Sequence, residues 1–190
     1  MVEAVAGVDL TVHNGEIFGF LGPNGACKTT TLRMLATLLP PSGGTATVAG
    51  ADLLKQQGQV RERIGYVGQA GGSDREIMGR TELVFQGRLY GMSLAAAKKR
   101  AADLIEMLEL EGCADRKVAT YSGGQKRRLD IGLGLVPDPP LLFLDQPTTR
   151  PPPQTRAHAG AGVTQRHHTA PTACLAPPHP HTPDAPCHRD

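Results

Sequence analysis

The chain has 190 residues and a formal net charge of +2. This length allows one domain with a buried core, and the nearly balanced charge gives no indication of nucleic-acid binding. The N-terminal residues lack the basic start and long apolar core of a signal peptide, and no stretch approaches the roughly 18 apolar residues needed to cross a bilayer. Four cysteines without framework spacing favour a reducing, cytoplasmic setting: Cys27, Cys113, Cys174 and Cys187.

Two short strands are predicted at the start of the chain. Residues 8–12 alternate enough to form one strand, and Asn14-Gly15 is the favoured two-residue hairpin turn. The apolar run from Ile17 to Leu21 is typical of a buried strand. The chain is therefore predicted to open with an antiparallel hairpin that leads into this buried strand.

A glycine-rich loop follows that strand, and Lys28 and Thr29 then begin a helix with apolar residues at Leu32, Leu35 and Ala36. Strand, glycine loop, Lys-Thr and helix in this order predict a phosphate-binding P-loop. In such a loop backbone N–H groups surround the phosphates, the lysine contacts the β/γ oxygens, and the threonine hydroxyl ligates Mg²⁺. The predicted nucleotide-binding residues of this segment are Gly22, Pro23, Asn24, Gly25, Ala26, Cys27, Lys28, Thr29 and Thr30.

The next hundred residues are predicted to be partly strand and then mostly helical. Short strands are expected at 45–48 and 64–69, the second ending in Gln69, with a helical turn at 60–63 between them. Two helices are expected within 71–120, separated by Gly91 and Ser93. The second begins at Leu94, is predicted to end at Gly112, and has an inward stripe of Ala101, Leu104, Ile105 and Leu108. A solvated face is expected for Lys98, Lys99 and Arg100.

A helix start, a buried strand and a tail complete the chain. Ser122 is a good N-cap, and Gly123 and Gly124 after it allow a phosphate to approach the helix N-terminus. Residues 141–144 are apolar throughout, as in a parallel strand buried on both faces, and Asp145 follows at the carboxyl end, where α/β sheets bind ligands. Residues 151–190 contain nine of the 16 prolines and almost no large aliphatic residues, which predicts disorder.

Three motifs in order resemble those of ABC-transporter ATPases. The P-loop comes first, Tyr121-Ser122-Gly123-Gly124-Gln125 resembles the LSGGQ signature, and Leu141 to Asp145 resembles the Walker B strand. Gln125 and Asp145 are 20 residues apart, the close spacing of that family. GTPases and small-molecule kinases share the P-loop but lack Ser-Gly-Gly-Gln. The resemblance covers about residues 3–158, and stretches such as Gly-Arg-Leu-Tyr-Gly-Met are similar to the daunorubicin-type drug-resistance exporter branch.

The resemblance implies an α/β fold: a P-loop NTPase (RecA-like) core with an N-terminal antiparallel hairpin and a helical subdomain at about 71–130. This nucleotide-binding domain would span residues 1–149, with a disordered tail at 150–190. The implied cofactors are ATP and Mg²⁺, with Thr29, Gln69 and Asp145 at the metal. In a homodimer, the signature residues Ser122, Gly123, Gly124 and Gln125 would close the ATP site of the facing subunit.

The family role would be ATP-driven export of a drug-like or lipid-like compound. A separate membrane permease would supply the path, with this subunit peripheral on the cytoplasmic face of the cell membrane. Gln69 would touch Mg²⁺ or the attacking water and link the site to the permease.

The chain departs from the family at several positions. Gln146 replaces the glutamate that polarises the attacking water, and an amide can orient a water but cannot accept its proton. Residues 150–153 replace the family's D-loop, and neither its switch histidine nor its upstream aromatic residue is found. Gln146 and Gln69 are therefore the candidate catalytic residues of a chain that resembles its family incompletely at both ends. Three hypotheses stay open: ATP turnover, ATP binding with little hydrolysis, and a damaged or partial gene product.

Overall fold

The computed structural model describes residue 5, residues 7–20, residues 28–145 and the backbone of residues 172–176. The main sheet consists of β1 (Ile17–Gly19), β4 (Ile64–Val67), β5 (Leu141–Asp145) and β6 (Thr172–Ala176). The strand order is β1-β6-β5-β4, and every neighbouring pair is parallel. A small second sheet pairs β2 (Thr47–Val48) with β3 (Ala51–Asp52) in antiparallel register.

Five α-helices lie within the described residues. They are α1 (Lys28–Leu35), α2 (Gln57–Arg63), α3 (Gly79–Leu89), α4 (Leu94–Met107) and α5 (Gly123–Leu135). A 3₁₀ turn at Val118–Thr120 leads from the α4 region to α5. In chain order, β1 precedes α1, and β5 follows α5. The two expected parts of a nucleotide site, the helix start at Lys28 and the strand end at Asp145, therefore both lie at this sheet.

Strand β5 is buried on both faces, as its continuous apolar sequence predicts. Leu142 and Leu144 pack into a core formed mainly with α3, α4 and α5. Phe143 points to the other face, where it packs with Leu32 of α1 and with Ala36, the residue after α1. The sheet is thus covered by helices on both sides, and Asp145 at the end of β5 is carried into the interior.

The sequence signals predict the start of α4 correctly but not its end. Ser93 accepts a hydrogen bond from the Ala96 backbone N–H, so it caps α4 as expected. The predicted end at Gly112 is wrong, because α4 ends at Met107. Glu109 adopts a left-handed conformation with φ 53°, and the Leu110 N–H donates to the Ile105 carbonyl over 2.9 Å. This Schellman arrangement satisfies the last carbonyls of α4 without a glycine.

The predicted N-terminal hairpin is only partly present. Its turn forms, since the Glu16 N–H donates to the His13 carbonyl over 3.2 Å. Residues 7–13 form no strand, however, and β1 pairs in parallel with β6. The prediction of an antiparallel partner for β1 is therefore wrong among the described residues. A different strand supplies the main-chain hydrogen bonds that β1 needs.

The prediction of a disordered tail is wrong for Thr172–Ala176, which form β6 between β1 and β5. The prediction rested on the scarcity of large aliphatic side chains. A parallel ladder is built from main-chain groups, which are present in any non-proline segment. The remainder of the tail, 150–171 and 177–190, lies outside the described residues.

One residue of the expected basic surface has a structural role. Lys98 and Lys99 are exposed, as predicted. Arg100 is instead partly buried, and its guanidinium donates to the Leu135 carbonyl over 2.7 Å and to the Val136 carbonyl over 3.3 Å. Because cations stabilise helix C-termini, Arg100 fixes the end of α5 against α4.

Candidate nucleotide-binding site

A hydroxyl and a carboxylate meet where α1 begins and β5 ends. Thr29 lies in the first turn of α1, and Asp145 is the last residue of β5 and is fully buried, with 0% exposure. The Thr29 hydroxyl donates to Asp145 Oδ1 over 2.8 Å. The structure thus brings together two of the three residues that the sequence predicts at Mg²⁺.

Lys28 is the first residue of α1, and it is buried with 8% exposure. A helix N-terminus presents unpaired N–H groups and a positive dipole end, which favour an anion. A lysine at this position adds a full positive charge next to Thr29 and Asp145. The predicted loop residues Gly22 to Cys27 lie outside the described residues, as does Gln146.

Tyr66 extends the polar cluster beyond the residues expected from sequence. Its hydroxyl lies 3.5 Å from Asp145 Oδ2. Burial raises the pKa of Tyr66, a hydrogen bond from Arg33 opposes this, and the charge of Asp145 adds to the increase. A neutral phenol beside Asp145 can therefore donate a hydrogen bond without adding negative charge.

Gln69 is exposed and follows β4 in the same region. It lines an open cleft of ≈ 540 Å³ together with Arg33, Leu38, Tyr66, Gly68, Ala70 and Gly71. Since Tyr66 also reaches Asp145, the cleft adjoins the Thr29–Asp145 pair. The predicted strand 64–69 ends two residues early, at Val67, so Gln69 lies in the turn after β4, and its contact with a metal or a water stays a prediction.

Arg127 on α5 joins the ends of two neighbouring strands. One guanidinium nitrogen donates to the Gly68 carbonyl after β4 over 2.7 Å, and the other donates to the Asp145 carbonyl over 3.0 Å. Burial lowers the pKa of Arg127, and the nearby charges of Asp130 and Asp145 oppose that decrease. Arg127 therefore fixes the backbone at the ends of β4 and β5.

Two buried carboxylates hold the loop that follows Gln69. Asp130 Oδ1 accepts hydrogen bonds of 3.0 Å from the Gly72 and Ser73 N–H groups. Glu82 Oε1 accepts one of 2.7 Å from the Asp74 N–H. Burial raises the pKa of Glu82, the Asp74 N–H opposes this, and the charge of Asp130 adds to the increase.

The signature segment begins α5. The Ser122 hydroxyl accepts from the Gln125 N–H over 3.2 Å, and the Gln125 side chain accepts from the Ser122 N–H over 2.9 Å. This capping box preorganises the helix start, and Ser122 and Gly123 remain exposed. The predicted N-cap is confirmed, and its exposure leaves the helix start accessible to another molecule.

Tyr121 anchors the signature to the helical region. Its buried hydroxyl donates to the Cys113 carbonyl over 2.8 Å, and burial raises the pKa of this phenol. Gly79 at the start of α3 lies directly against the hydroxyl, where a β-carbon would collide with it. The side chain of Tyr121 is therefore fixed in place, directly before the exposed residues Ser122 and Gly123 of the signature segment.

Sequence reasoning missed four polar residues of this site: Tyr66, Glu82, Arg127 and Asp130. Arg127 and Asp130 are three residues apart on α5, so they share a helix face with the core residue Leu129 nearby. Charged residues on an inward helix face were the available signal, because such groups are buried only with partners.

The donor set suits a magnesium nucleotide. Mg²⁺ binds hydroxyl and carboxylate oxygens, and Thr29 and Asp145 present one of each at hydrogen-bond distance. The neighbouring lysine at a helix N-terminus suits phosphate. The residues present therefore fit Mg²⁺ with a bound phosphate chain.

A parallel sheet with helices on both faces, a Lys-Thr helix start and an aspartate at a neighbouring strand end define a P-loop NTPase fold. The family model described as ABC transporter matches residues 5–149, and the chain belongs to this family. The dimeric ATP-binding cassette MJ0796 in a post-hydrolysis state with ADP and Pi has the same fold. Its TM-score is 0.79 at 24% identity, covering 92% of this chain and 79% of that one.

Several of the curated relatives are named as drug-resistance proteins. The daunorubicin/doxorubicin resistance ATP-binding protein DrrA of Streptomyces peucetius is 52% identical over 154 residues, 81% of this chain and 47% of the relative. The linearmycin resistance ATP-binding protein LnrL of Bacillus subtilis is 39% identical over 168 residues, 88% of this chain and 54% of the relative. The chain thus spans about half the length of the curated relatives it matches. Among the described residues, no helix is long and apolar enough to cross a membrane.

Proposed function

We propose that the chain is the ATP-binding subunit of an ABC-type exporter. The observation that carries the proposal is the 2.8 Å hydrogen bond between Thr29 and Asp145 at the start of α1, beside the buried Lys28. It joins the two halves of a magnesium-phosphate site across 116 residues of sequence. Chance proximity of unrelated polar groups would not also place a lysine at that helix N-terminus.

Each described residue has a defined task in this proposal. Lys28 binds the phosphate oxygens, and Thr29 and Asp145 hold Mg²⁺, which when bound neutralises phosphate charge. Gln69 lies in the adjoining cleft and orients water or contacts the metal. Tyr66 supports the Asp145 carboxylate from its other oxygen.

A second copy of the chain completes the nucleotide site. The exposed Ser122 and Gly123 at the capped start of α5 support this part of the proposal, because they can approach phosphate. The solved cassette named above is dimeric. A membrane permease is the further partner, and it holds the chain at the cytoplasmic face of the membrane.

The exported compound is drug-like or lipid-like in this proposal. Support comes from relatives whose names refer to resistance to daunorubicin, doxorubicin and linearmycin. In this proposal the cassette binds the nucleotide and not the exported compound, so the permease selects that compound.

A second candidate function is ATP binding with little hydrolysis. The specific observation is Gln146, which directly follows Asp145 where the family has its general base. A positioned base contributes typically about 10²–10⁴-fold to rate. The phosphate and metal ligands remain, so binding survives better than chemistry.

Equilibrium binding of Mg-ATP and release of phosphate test the two functions together. We expect weak Mg-ATP binding that Lys28→Ala abolishes, with hydrolysis near background. Lys55→Ala, which removes an exposed lysine far from α1 in sequence, is the matched control and should bind as wild type does. Equal binding by the wild-type and Lys28→Ala proteins would overturn the proposed site, and turnover at ordinary family rates would overturn the second candidate.

A further inference from the structure

Helix α5 contacts the backbone on both sides of Gln69. Before Gln69, the Gly68 carbonyl accepts from Arg127 over 2.7 Å. After it, the Gly72 and Ser73 N–H groups donate to Asp130 over 3.0 Å. The segment that carries Gln69 is therefore held at both ends by one helix, although the Gln69 side chain itself is exposed.

The Asp130 contact leaves no space for a side chain on the loop. Gly71 has φ +75°, and a β-carbon there would collide with Asp130 Oδ2. Asp130 is buried, with 5% exposure, so its carboxylate is committed to the loop rather than to solvent. Hydrogen bonds to a charged acceptor are among the stronger ones in proteins.

Arg127 extends the same connection to the end of β5. Its second nitrogen donates to the Asp145 carbonyl over 3.0 Å, and the peptide bond of that carbonyl leads to Gln146. Arg127 thus holds the carbonyl groups of Gly68 and Asp145. These two residues directly precede the candidate water-handling residues Gln69 and Gln146.

The same helix begins with the signature segment. Ser122 caps α5, and Asp130 lies eight residues further on, about 12 Å along the axis at 1.5 Å per residue. A continuous hydrogen-bonded helix of this length moves as a unit. Displacement of its N-terminus is therefore passed to the backbone around Gln69.

We propose that Arg127 and Asp130 are positioning residues that keep Gln69 in fixed register with the signature helix. The role deepens the proposed function, on which its significance for ATP rests. When the signature closes on a nucleotide held by a second copy, Gln69 and the end of β5 move with α5. Nucleotide binding at one site is thereby coupled to the position of the water-handling residues Gln69 and Gln146 at the other site.

Amide hydrogen exchange of the full-length, nucleotide-free chain tests the connection. Asp130→Ala should increase the exchange rates of the Gly72 and Ser73 amides about 10- to 100-fold, as expected for loss of a charged acceptor. The isosteric Asp130→Asn should give a smaller increase and covers the case in which the alanine variant does not fold. Arg100→Lys is the matched control, because it weakens contacts at the opposite end of α5 and should leave both amides unchanged.

A double-mutant cycle distinguishes positioning from general stabilisation. Ser122→Ala weakens the cap of α5 and should speed exchange at Gly72 and Ser73 in the wild-type background. In the Asp130→Asn background, Ser122→Ala should change the logarithm of these amide exchange rates by at most half as much as in the wild-type background. Full additivity, no response to Ser122→Ala, or an equal response to Arg100→Lys would overturn the proposal. Mg-ATP binding is measured separately, so a chain that binds no ATP would refute the proposed function while leaving this result interpretable.

Discussion

The Thr29 hydroxyl and the Asp145 carboxylate are joined by a 2.8 Å hydrogen bond across 116 residues of sequence. Asp145 is fully buried, and an ionised carboxylate in that position is costly unless it is hydrogen-bonded. The bond from Thr29 therefore stabilises Asp145 and also holds together the two oxygen groups that we propose as metal ligands.

Thr29→Val should weaken the magnesium dependence of ATP binding. Valine keeps the shape of threonine but supplies no oxygen to the metal. We expect Mg-ATP affinity to fall at least about tenfold, the lower limit for loss of a charge-assisted contact. Affinity for ATP in the presence of EDTA should be unchanged, measured by titration calorimetry. Thr45→Val on the exposed surface is the control, and a Thr29→Val protein that retains the full magnesium effect would contradict the ligand assignment.

Restoring turnover should need several changes together. Gln146→Glu supplies a base, but the family's D-loop and switch histidine would still be missing, so it alone should raise phosphate release little. Cys27→Gly would restore the glycine that the P-loop pattern has directly before the lysine, and adding it together with a family-type D-loop and a histidine-bearing switch segment should recover ATPase activity. Full recovery by Gln146→Glu alone would show that the other departures do not limit the reaction.

Glu82→Gln should stabilise the fold increasingly as pH rises. Burial raises the pKa of Glu82 above its usual value of 4.5, so the folded state holds this proton to a higher pH than the unfolded state. The free energy of unfolding of the wild-type protein, relative to that of the glutamine variant, is therefore highest below pH 4.5. It falls as the pH rises through the pKa that Glu82 has in the folded state. Urea unfolding at pH 4 and pH 7 measures the difference. The exposed Glu76→Gln is the control, and a stability difference that shrinks toward pH 7 would contradict the assignment.

Glu109→Gly should raise the free energy of unfolding by about 1 kcal/mol, or the melting temperature by about 2–4 °C. Glu109 has φ 53° after α4, a conformation that glycine adopts without strain. Glu109→Gln controls for loss of the 3.6 Å ion pair with Arg128, and Glu111→Gly controls for glycine at a nearby exposed position. Equal melting temperatures for Glu109→Gly and Glu109→Gln would show that the left-handed residue carries no strain.

The motifs were predictable because each depends on local chemistry. The cap at Ser122, the helix start at Lys28 and the buried strand ending at Asp145 follow from short-range patterns of capping and hydrophobicity. Local patterns at these residues therefore predict the fold class and a large part of the candidate site.

The contacts between distant segments were not predictable in the same way. Arg127 and Asp130 differ from ordinary surface charges only in what the fold places opposite them, namely the carbonyl of Gly68 and the amides of Gly72 and Ser73. Strand β6 was missed because its stabilising partners are the main chains of β1 and β5. Hydrophobic patterning within one segment carries no information about such partners.

Truncation after Gln154 should therefore destabilise the chain, contrary to what the composition of the tail suggests. It removes β6, which pairs with both β1 and β5, and leaves a gap inside the sheet. We expect a lower melting temperature and a less cooperative transition by circular dichroism. A chain that ends after Ala176 keeps β6 and should melt as the full chain does. Identical melting of all three proteins would show that β6 contributes nothing to the fold.

The place of β6 also determines when the protein can fold during synthesis. Ile17 pairs with Ala173, so β1, the first strand of the described sheet, cannot pair until β6, the last strand, has been synthesised. After β5 has been made, the ribosome still needs roughly 30 residues to complete β6, about 2–6 s at 5–20 residues per second. Throughout that interval the nascent chain presents two unpaired strand edges, the kind of surface on which other chains add. Elongation speed over this segment therefore bears directly on whether the newly made chain folds or aggregates.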